Sequence, residues 1–177
     1  MLESVIKWIE KNLKLPVNRS KSGNSTTGNG SLLGFKIHPD GGIDISDKSL
    51  KKLKTKVREL WDGRQSLTSS ELRDNWLRYI NGWWSYFNIT TKSWNLDGIS
   101  NWTRRHIRKC FWQRWSTPRG RIKNLKRLGV KPRSLGIGYT GLGAWRIAKR
   151  WCMHQALDNK TLYKYGFRTP WETVAIK

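Results

Sequence analysis

The chain has 177 residues, enough for one domain with appendages or two small domains. Its 35 Lys and Arg side chains against 12 Asp and Glu give a formal net charge of +23, which repels itself unless a polyanion neutralises it. No apolar run approaches the roughly 18 residues of a membrane-spanning helix. We therefore expect a polyanionic partner and an intracellular protein with no membrane, signal peptide or transmembrane segment.

The charge is concentrated in the C-terminal half. Residues 1–97 carry 16 basic and 10 acidic side chains, whereas residues 98–177 carry 19 and 2. Residues 98–157 contain no Asp or Glu at all, although fifteen Lys or Arg are present. A solvated helix face normally mixes signs to gain pairs one turn apart, so this acid-free segment indicates contact with a polyanion.

The first 45 residues predict a small α+β unit. A short amphipathic helix is expected before Pro16, because apolar residues recur at helical spacing at Leu2, Val5, Ile6, Ile9 and Leu13. Residues 22–31 are Gly, Ser, Asn and Thr and predict a flexible loop. Residues 32–45 predict a β-hairpin that turns at Pro39, Asp40, Gly41 and Gly42.

Three amphipathic helices are predicted next, as a small bundle. The first runs from Ser46 to a stop at Gly63. The second begins with a capping box, since Thr68 and Glu71 have the required spacing. The third follows a polar break at residues 88–93. It carries Ile99, Trp102, His106 and Cys110 on one side and Arg104, Arg105, Arg108 and Lys109 on the other.

The C-terminal third predicts further short helices. Thr117 and Pro118 resemble an N-cap followed by proline at N1, opening a helix that ends near Gly129. A glycine-rich turn is expected at residues 135–143, and helices at 144–157 and 161–165. The predicted fold is mainly α: an N-terminal α+β piece with a β-hairpin, a three-helix bundle and a C-terminal helical segment.

No pattern in the sequence predicts a catalytic, cofactor or metal site. The glycines at 136–143 lack the strand, helix and Lys-Ser/Thr context of a phosphate-binding loop. Carboxylates are scattered, and Asp44 and Asp47, the nearest to a pair, suit structural roles at a hairpin end and a helix start. Structural roles are also the better interpretation of the histidines and of the two widely spaced cysteines, which are His38, His106, His154, Cys110 and Cys152.

Cations interleaved with aromatic residues are typical of nucleic-acid binding, because Lys and Arg contact phosphates and aromatic faces stack on unpaired bases. The spacing of Trp76, Trp83 and Trp102 favours core packing, whereas for Trp112, Trp115 and Trp145 both core packing and base stacking stay open. The predicted RNA-binding residues are Lys48, Lys51, Lys52, Arg104, Arg105, Arg108, Lys109, Arg114, Arg119, Arg121, Lys123, Lys126, Arg127, Trp145, Arg146 and Arg150.

Particular residues resemble the C-terminal portion of a group II intron reverse transcriptase, or maturase. The segment from Val17 to Ser22, with Asn18 and Lys21, is similar to the family's late palm motif, and Leu32, Leu33, Gly34 and Phe35 to its primer grip. The maturase-specific X or thumb region is resembled by Leu77, Tyr79, Ile80, Gly82, Trp83, Tyr86 and Phe87, and by Trp102, Arg104, Arg105, Ile107, Arg108, Phe111, Trp112 and Trp115. The D-like segment is resembled by Arg121, Ile122, Asn124, Leu125, Leu128, Gly129, Gly143, Ala144, Trp145, Arg146, His154, Ala156, Leu157 and Asn159.

The resemblance implies three parts: a palm remnant at 1–45, an X or thumb-like bundle at 46–116 and a basic D-like segment at 117–177. The family's Tyr-x-Asp-Asp polymerase element and its endonuclease domain have no counterpart here. The implied function is to bind and stabilise a structured group II intron RNA for splicing, in a bacterial cytoplasm or an organelle, without polymerase activity of its own and without a cofactor. Target DNA is a second ligand that the resemblance implies.

Two alternatives stay open. The chain could be half of a split reverse transcriptase that needs a separate chain with the palm and fingers, or a repurposed DNA-binding module. For the RNA-binding hypothesis, we expect that replacing Arg104, Arg105, Arg108 and Lys109 by Gln weakens binding and leaves the fold intact.

Overall fold

The computed structural model describes residues 2–20, 22–23, 31–91 and 96–172, and it confirms a mainly α fold with a small N-terminal sheet. Three short strands, β1 to β3, precede a series of helices. In chain order the elements are α1 (Leu2–Trp8), a π-helical turn (Ile9–Leu13), β1 (Ser31–Leu32), β2 (Phe35–Ile37), β3 (Ile43–Ile45), α2 (Asp47–Leu60), α3 (Ser69–Phe87), α4 (Leu96–Arg114), α5 (Pro118–Arg127), a 3₁₀ helix (Pro132–Tyr139), α6 (Ala144–Ile147), α7 (Trp151–Ala156) and α8 (Asn159–Lys164).

The predicted hairpin is confirmed, and it carries one strand more than predicted. β2 and β3 pair antiparallel with Phe35 opposite Ile45, and the turn between them contains Gly41 at a positive φ of 82°. β1 joins β2 through a two-residue turn at Leu33 and Gly34, whose φ values of 51° and 86° are those of a type I′ turn. The first strand was missed because two residues are too short to show alternation.

The predicted N-terminal helix ends before Pro16 as expected, although its last turn, Ile9–Leu13, is π-helical. Only Ile6 is buried, whereas Val5, Trp8, Leu13 and Leu15 are exposed, so the apolar side of this helix is largely uncovered. Arg19 pairs with Glu3 at 3.1 Å, which ties the following segment back to α1. The predicted loop at residues 22–31 lies mostly outside the described residues, as does Lys21 of the palm-like motif.

Helices α2, α3 and α4 begin where local signals predict. The Ser46 hydroxyl accepts from the Ser49 amide at the start of α2. At the start of α3, Thr68 and Glu71 form both hydrogen bonds of the capping box. The predicted helix stop at Gly63 is wrong, because α2 already ends at Leu60. Gly63 instead allows the loop to approach α4 closely, since a Cβ atom at Gly63 would lie 2.5 Å from the Cβ of Gln113.

Helix α5 and the glycine-rich segment pack together. α5 begins as predicted, with the Thr117 hydroxyl accepting from the Gly120 amide and Pro118 at N1. The glycine-rich stretch forms part of a 3₁₀ helix rather than only a turn. Gly138 faces α5 so closely that a Cβ there would lie 2.6 Å from Cγ1 of Ile122.

The prediction of one continuous helix over 144–157 is wrong, because two helices, α6 and α7, occupy this range. Arg150 has an extended backbone (φ −75°, ψ 149°) and separates α6 from α7. Neither glycine nor proline marks the break. Its structural result is that Ile147 and Ala148 on one side and Cys152 and Met153 on the other are all buried.

One hydrophobic core joins the parts. Its buried members include Phe35 from the sheet, Leu53 from α2, Trp112 from α4, Leu125 from α5 and Phe167 after α8. Each of the three predicted parts of the chain thus contributes to the same cluster. The domain boundaries at residues 45 and 116 stay a prediction.

Candidate nucleic-acid interface

The cationic side of α4 is covered by the C-terminal segment. Arg108 is only 4% exposed, and its guanidinium donates to the Leu157 carbonyl at 2.9 Å and to Asn159 Oδ1 at 3.1 Å. Burial lowers the pKa of Arg108 to about 10, which still leaves it charged at neutral pH. Arg108 therefore holds the segment that follows α7 against α4. Because Arg108 is buried, it does not face RNA as predicted.

Two neighbouring arginines also have partners within the fold. Arg104 is half-buried and pairs with Glu172, and it donates to Asn101 Oδ1 at 2.7 Å. Arg105 lies over the indole of Trp145 at 3.6 Å from the ring centroid and donates to the Trp145 carbonyl. The expectation that the four-Gln variant leaves the fold intact is thus corrected, because these side chains stabilise it.

Arg114 and Arg121 likewise bind backbone carbonyls. Arg114 donates to Gln65 and Leu67 in the loop before α3. Arg121 donates to the Trp115 carbonyl at 3.0 Å and lies 4.7 Å from the centroid of the Trp112 ring. Both are half-buried and held in fixed positions by these contacts.

The tryptophans whose role the sequence left open, Trp112, Trp115 and Trp145, belong mainly to the core. Trp112 and Trp115 are buried, which decides between the two interpretations in favour of packing. Trp145 is half-buried, and its outer contacts are already taken by Arg105 and by His106, whose ring centroid is 4.6 Å away. Burial, and then the nearby Lys109, Arg58 and Arg105, lower the pKa of His106 to about 4, so this imidazole is neutral at physiological pH.

One group of solvent-facing cations lies on α5 and on the segments that follow it. α5 buries Leu125 and half-buries Ile122 and Leu128, so its opposite side faces water. Within the described part of the chain, none of these exposed cations forms an ion pair with a carboxylate. The predicted ones among them are Arg119, Lys123, Lys126, Arg127, Arg146 and Arg150.

Three further exposed cations were missed by sequence reasoning. Lys131 and Arg133 flank Pro132 at the start of the 3₁₀ helix, and Lys149 lies in the break between α6 and α7. α5, the 3₁₀ helix and α7 pack against one another, and α6 packs against α4. The absence of acids from residues 98–157 was the signal that could have included them. We call these nine exposed cations the basic surface.

The remaining predicted residues lie elsewhere. Lys48, Lys51 and Lys52 are exposed on α2, and Lys109 is half-buried on α4. In the primer-grip-like turn, Leu33 is 76% exposed, whereas Phe35 is buried and stacks on Tyr86 with centroids 5.4 Å apart. Gly34 sits against Ser49 Oγ, which donates to its carbonyl at 3.1 Å. Asn18 is exposed.

Groups able to carry other chemistry are few in the described residues. Cys110 and Cys152 are buried free thiols, and burial raises the pKa of Cys110 to about 11, so it acts as a small core side chain. Within the described ranges, no three His, Cys, Asp or Glu side chains gather as metal ligands. Across the same ranges, no helix has the length and apolar character needed to cross a membrane.

The bundle and α5 coincide with a known family. The sequence model of the group II intron, maturase-specific domain matches residues 50–129, from the first turn of α2 to the glycine that ends α5. Over these residues the chain is similar to the group II intron, maturase-specific domain. This domain is the non-catalytic region of group II intron maturases, and the match agrees with the resemblance to their C-terminal portion. No curated protein matches the chain.

The maturase-specific domain extends past residue 116, where the sequence predicted a boundary. It therefore includes α5 and part of the basic surface. The rest of the basic surface, from Lys131 onward, lies beyond the matched residues. Of its elements, the 3₁₀ helix and α7 pack against α5.

Proposed function

We propose that this chain binds a structured group II intron RNA through the basic surface and stabilises its active fold for splicing, without a polymerase centre of its own. One observation carries the proposal: the exposed cations of α5 and of the segments around it have no carboxylate partners in the described structure. Such a surface suits the phosphate backbone of folded RNA, because phosphate contacts give affinity without reading sequence.

The test compares two variants that lose the same charge. Replacing Lys123, Lys126 and Arg127 by Gln removes three exposed cations from α5. The control replaces three exposed cations of the N-terminal half, Lys7, Lys11 and Arg78, by Gln. Binding of an intron RNA is measured over a range of salt concentrations.

We expect the α5 variant to bind more weakly and the magnitude of its salt slope to fall by about 3, since each phosphate contact contributes about one unit. The control should keep the wild-type slope. Equal losses in the two variants would mean that binding follows net charge alone. Equal affinity of the wild type for duplex DNA at the same salt would favour a DNA-binding module instead.

A second candidate is the C-terminal half of a split reverse transcriptase. It is favoured by apolar side chains left in solvent on the palm-like N-terminal part, namely Trp8, Leu13, Leu15, Leu32 and Leu33. A chain with the palm and fingers would cover such groups. Primer extension by a mixture with that chain, absent from either chain alone, would support this function.

A further inference from the structure

A cavity of 570 Å³ opens between the start of α3, the ends of α4 and α5, and the residues that follow α8. Among the described residues, no Asp or Glu lines it. Its volume lies within the range of about 300–1,000 Å³ that small-molecule sites occupy. It adjoins the basic surface, because Arg127 of α5 belongs to both.

Aromatic rings form one part of the cavity wall. Phe111 comes from the last turn of α4, Trp115 follows that helix, and Tyr165 follows α8. Phe111 is held edge-on by Phe167, with ring centroids 5.5 Å apart. Tyr165 is 54% exposed, so part of its side chain is accessible from solvent at the cavity.

Three arginines form another part of the wall. Arg114 is fixed by its bonds to the Gln65 and Leu67 carbonyls, which leave its charge in place. Arg73 packs its stem over Gly166 and pairs with Asp74 at 2.8 Å. Arg127 has no ion pair in the described structure and is exposed. Only the charge of Arg73 is balanced by a carboxylate. Arg114 and Arg127 therefore leave the cavity mouth positively charged.

We propose that this cavity receives one unpaired nucleotide of the bound RNA, with its base against Tyr165 and Phe111 and its phosphate at Arg127. The inference rests on the proposed function and gives the basic surface a site for a single base. A nucleotide combines a planar aromatic group with an anion, which is the combination that the wall offers. A base inside a duplex has both faces covered by stacking, so only a bulged or looped base could enter.

The experiment uses two RNA hairpins that differ in one bulged 2-aminopurine, measured with the full chain. Wild type should bind the bulged hairpin about tenfold tighter than the paired one, as expected for one stacked base, and should quench its fluorescence. Tyr165→Ala should remove most of this preference. Arg127→Gln should lower it as well. Both side chains are exposed, so neither change is expected to disturb folding.

Matched controls lie on the 3₁₀ helix outside the cavity. Tyr139→Ala should leave the preference unchanged, and Arg133→Gln should weaken both hairpins equally. Equal wild-type affinity for the two hairpins, or a preference that survives both cavity variants, would overturn the nucleotide site while leaving RNA binding in place. Failure to bind either hairpin would overturn the proposed function and this inference with it.

Discussion

At the scale of single residues, arginine in this chain serves two different purposes. Arg108 is buried and bonded to protein acceptors, whereas Arg127 is exposed and unpaired among the described residues. Both lie in the same acid-free segment, so composition cannot separate them. Burial decides, because a buried cation must have its donors satisfied within the fold.

We predict that Arg108→Gln lowers the free energy of unfolding by about 2–4 kcal/mol, because it leaves the Leu157 carbonyl and Asn159 without their charged donor. Arg127→Gln is the matched control and should change stability by less than about 0.5 kcal/mol. Urea denaturation followed by circular dichroism measures both. Equal stabilities would show that Arg108 is not a structural residue.

His106 predicts a pH dependence of stability. Its pKa is lowered to about 4 from the ordinary 6.5, so between these values the unfolded chain binds a proton that the folded chain does not. The free energy of unfolding therefore falls as the pH falls from 6.5 to 4, by about 3 kcal/mol. Below about pH 4 this contribution is fully lost.

The measurement compares wild type with His106→Phe, which keeps an aromatic ring between Trp102 and Trp145 and cannot titrate. Other titrating groups are common to both proteins and cancel in the difference. The stability of wild type relative to the variant should decline between pH 6.5 and 4 and stay constant above pH 7. Parallel curves over the whole range would contradict the assignment.

At the scale of elements, local signals placed most helix starts correctly. The capping box at Thr68 and the Thr117–Pro118 pair act within one turn, so a short stretch of sequence specifies them fully. The break at Arg150 has no such signal. It depends on what Ile147 and Met153 pack against, which lies far away along the chain.

The contact between α5 and the 3₁₀ helix makes a prediction of its own. Gly138→Ala should destabilise the protein by about 1–3 kcal/mol, because the new methyl group would overlap Ile122. Gly136→Ala is the control, since a Cβ there meets nothing within 4 Å, and it should be close to neutral. Thermal denaturation of both variants checks this.

A second variant separates overlap from other effects. Combining Gly138→Ala with Ile122→Ala removes the atom that the new methyl group would strike. The two changes should then cost less together than the sum of their separate costs, as measured by a double-mutant cycle. Simple additivity would mean that the glycine matters for a different reason.

At the scale of the whole molecule, the cations behind the net charge of +23 fall into two groups. Part of it is bound to backbone carbonyls inside the fold, and part is displayed on α5 and its neighbours. If the displayed part neutralises six to ten phosphates, RNA affinity should fall about 10³- to 10⁵-fold between 50 and 200 mM salt. A nearly salt-independent affinity would contradict an electrostatic interface.

The sequence by itself determined the helical fold, the hairpin, the principal helix caps and the similarity to the maturase-specific domain, since these depend on neighbours within a few residues or on motif order. Only the tertiary structure decided which cations are available. The arginine side of α4 was predicted to face RNA because helical periodicity shows that two sides of a helix differ, but not what covers each side. Its cover comes from partners 40 to 68 residues later, at Trp145, Leu157 and Glu172, and such distant contacts leave no local pattern.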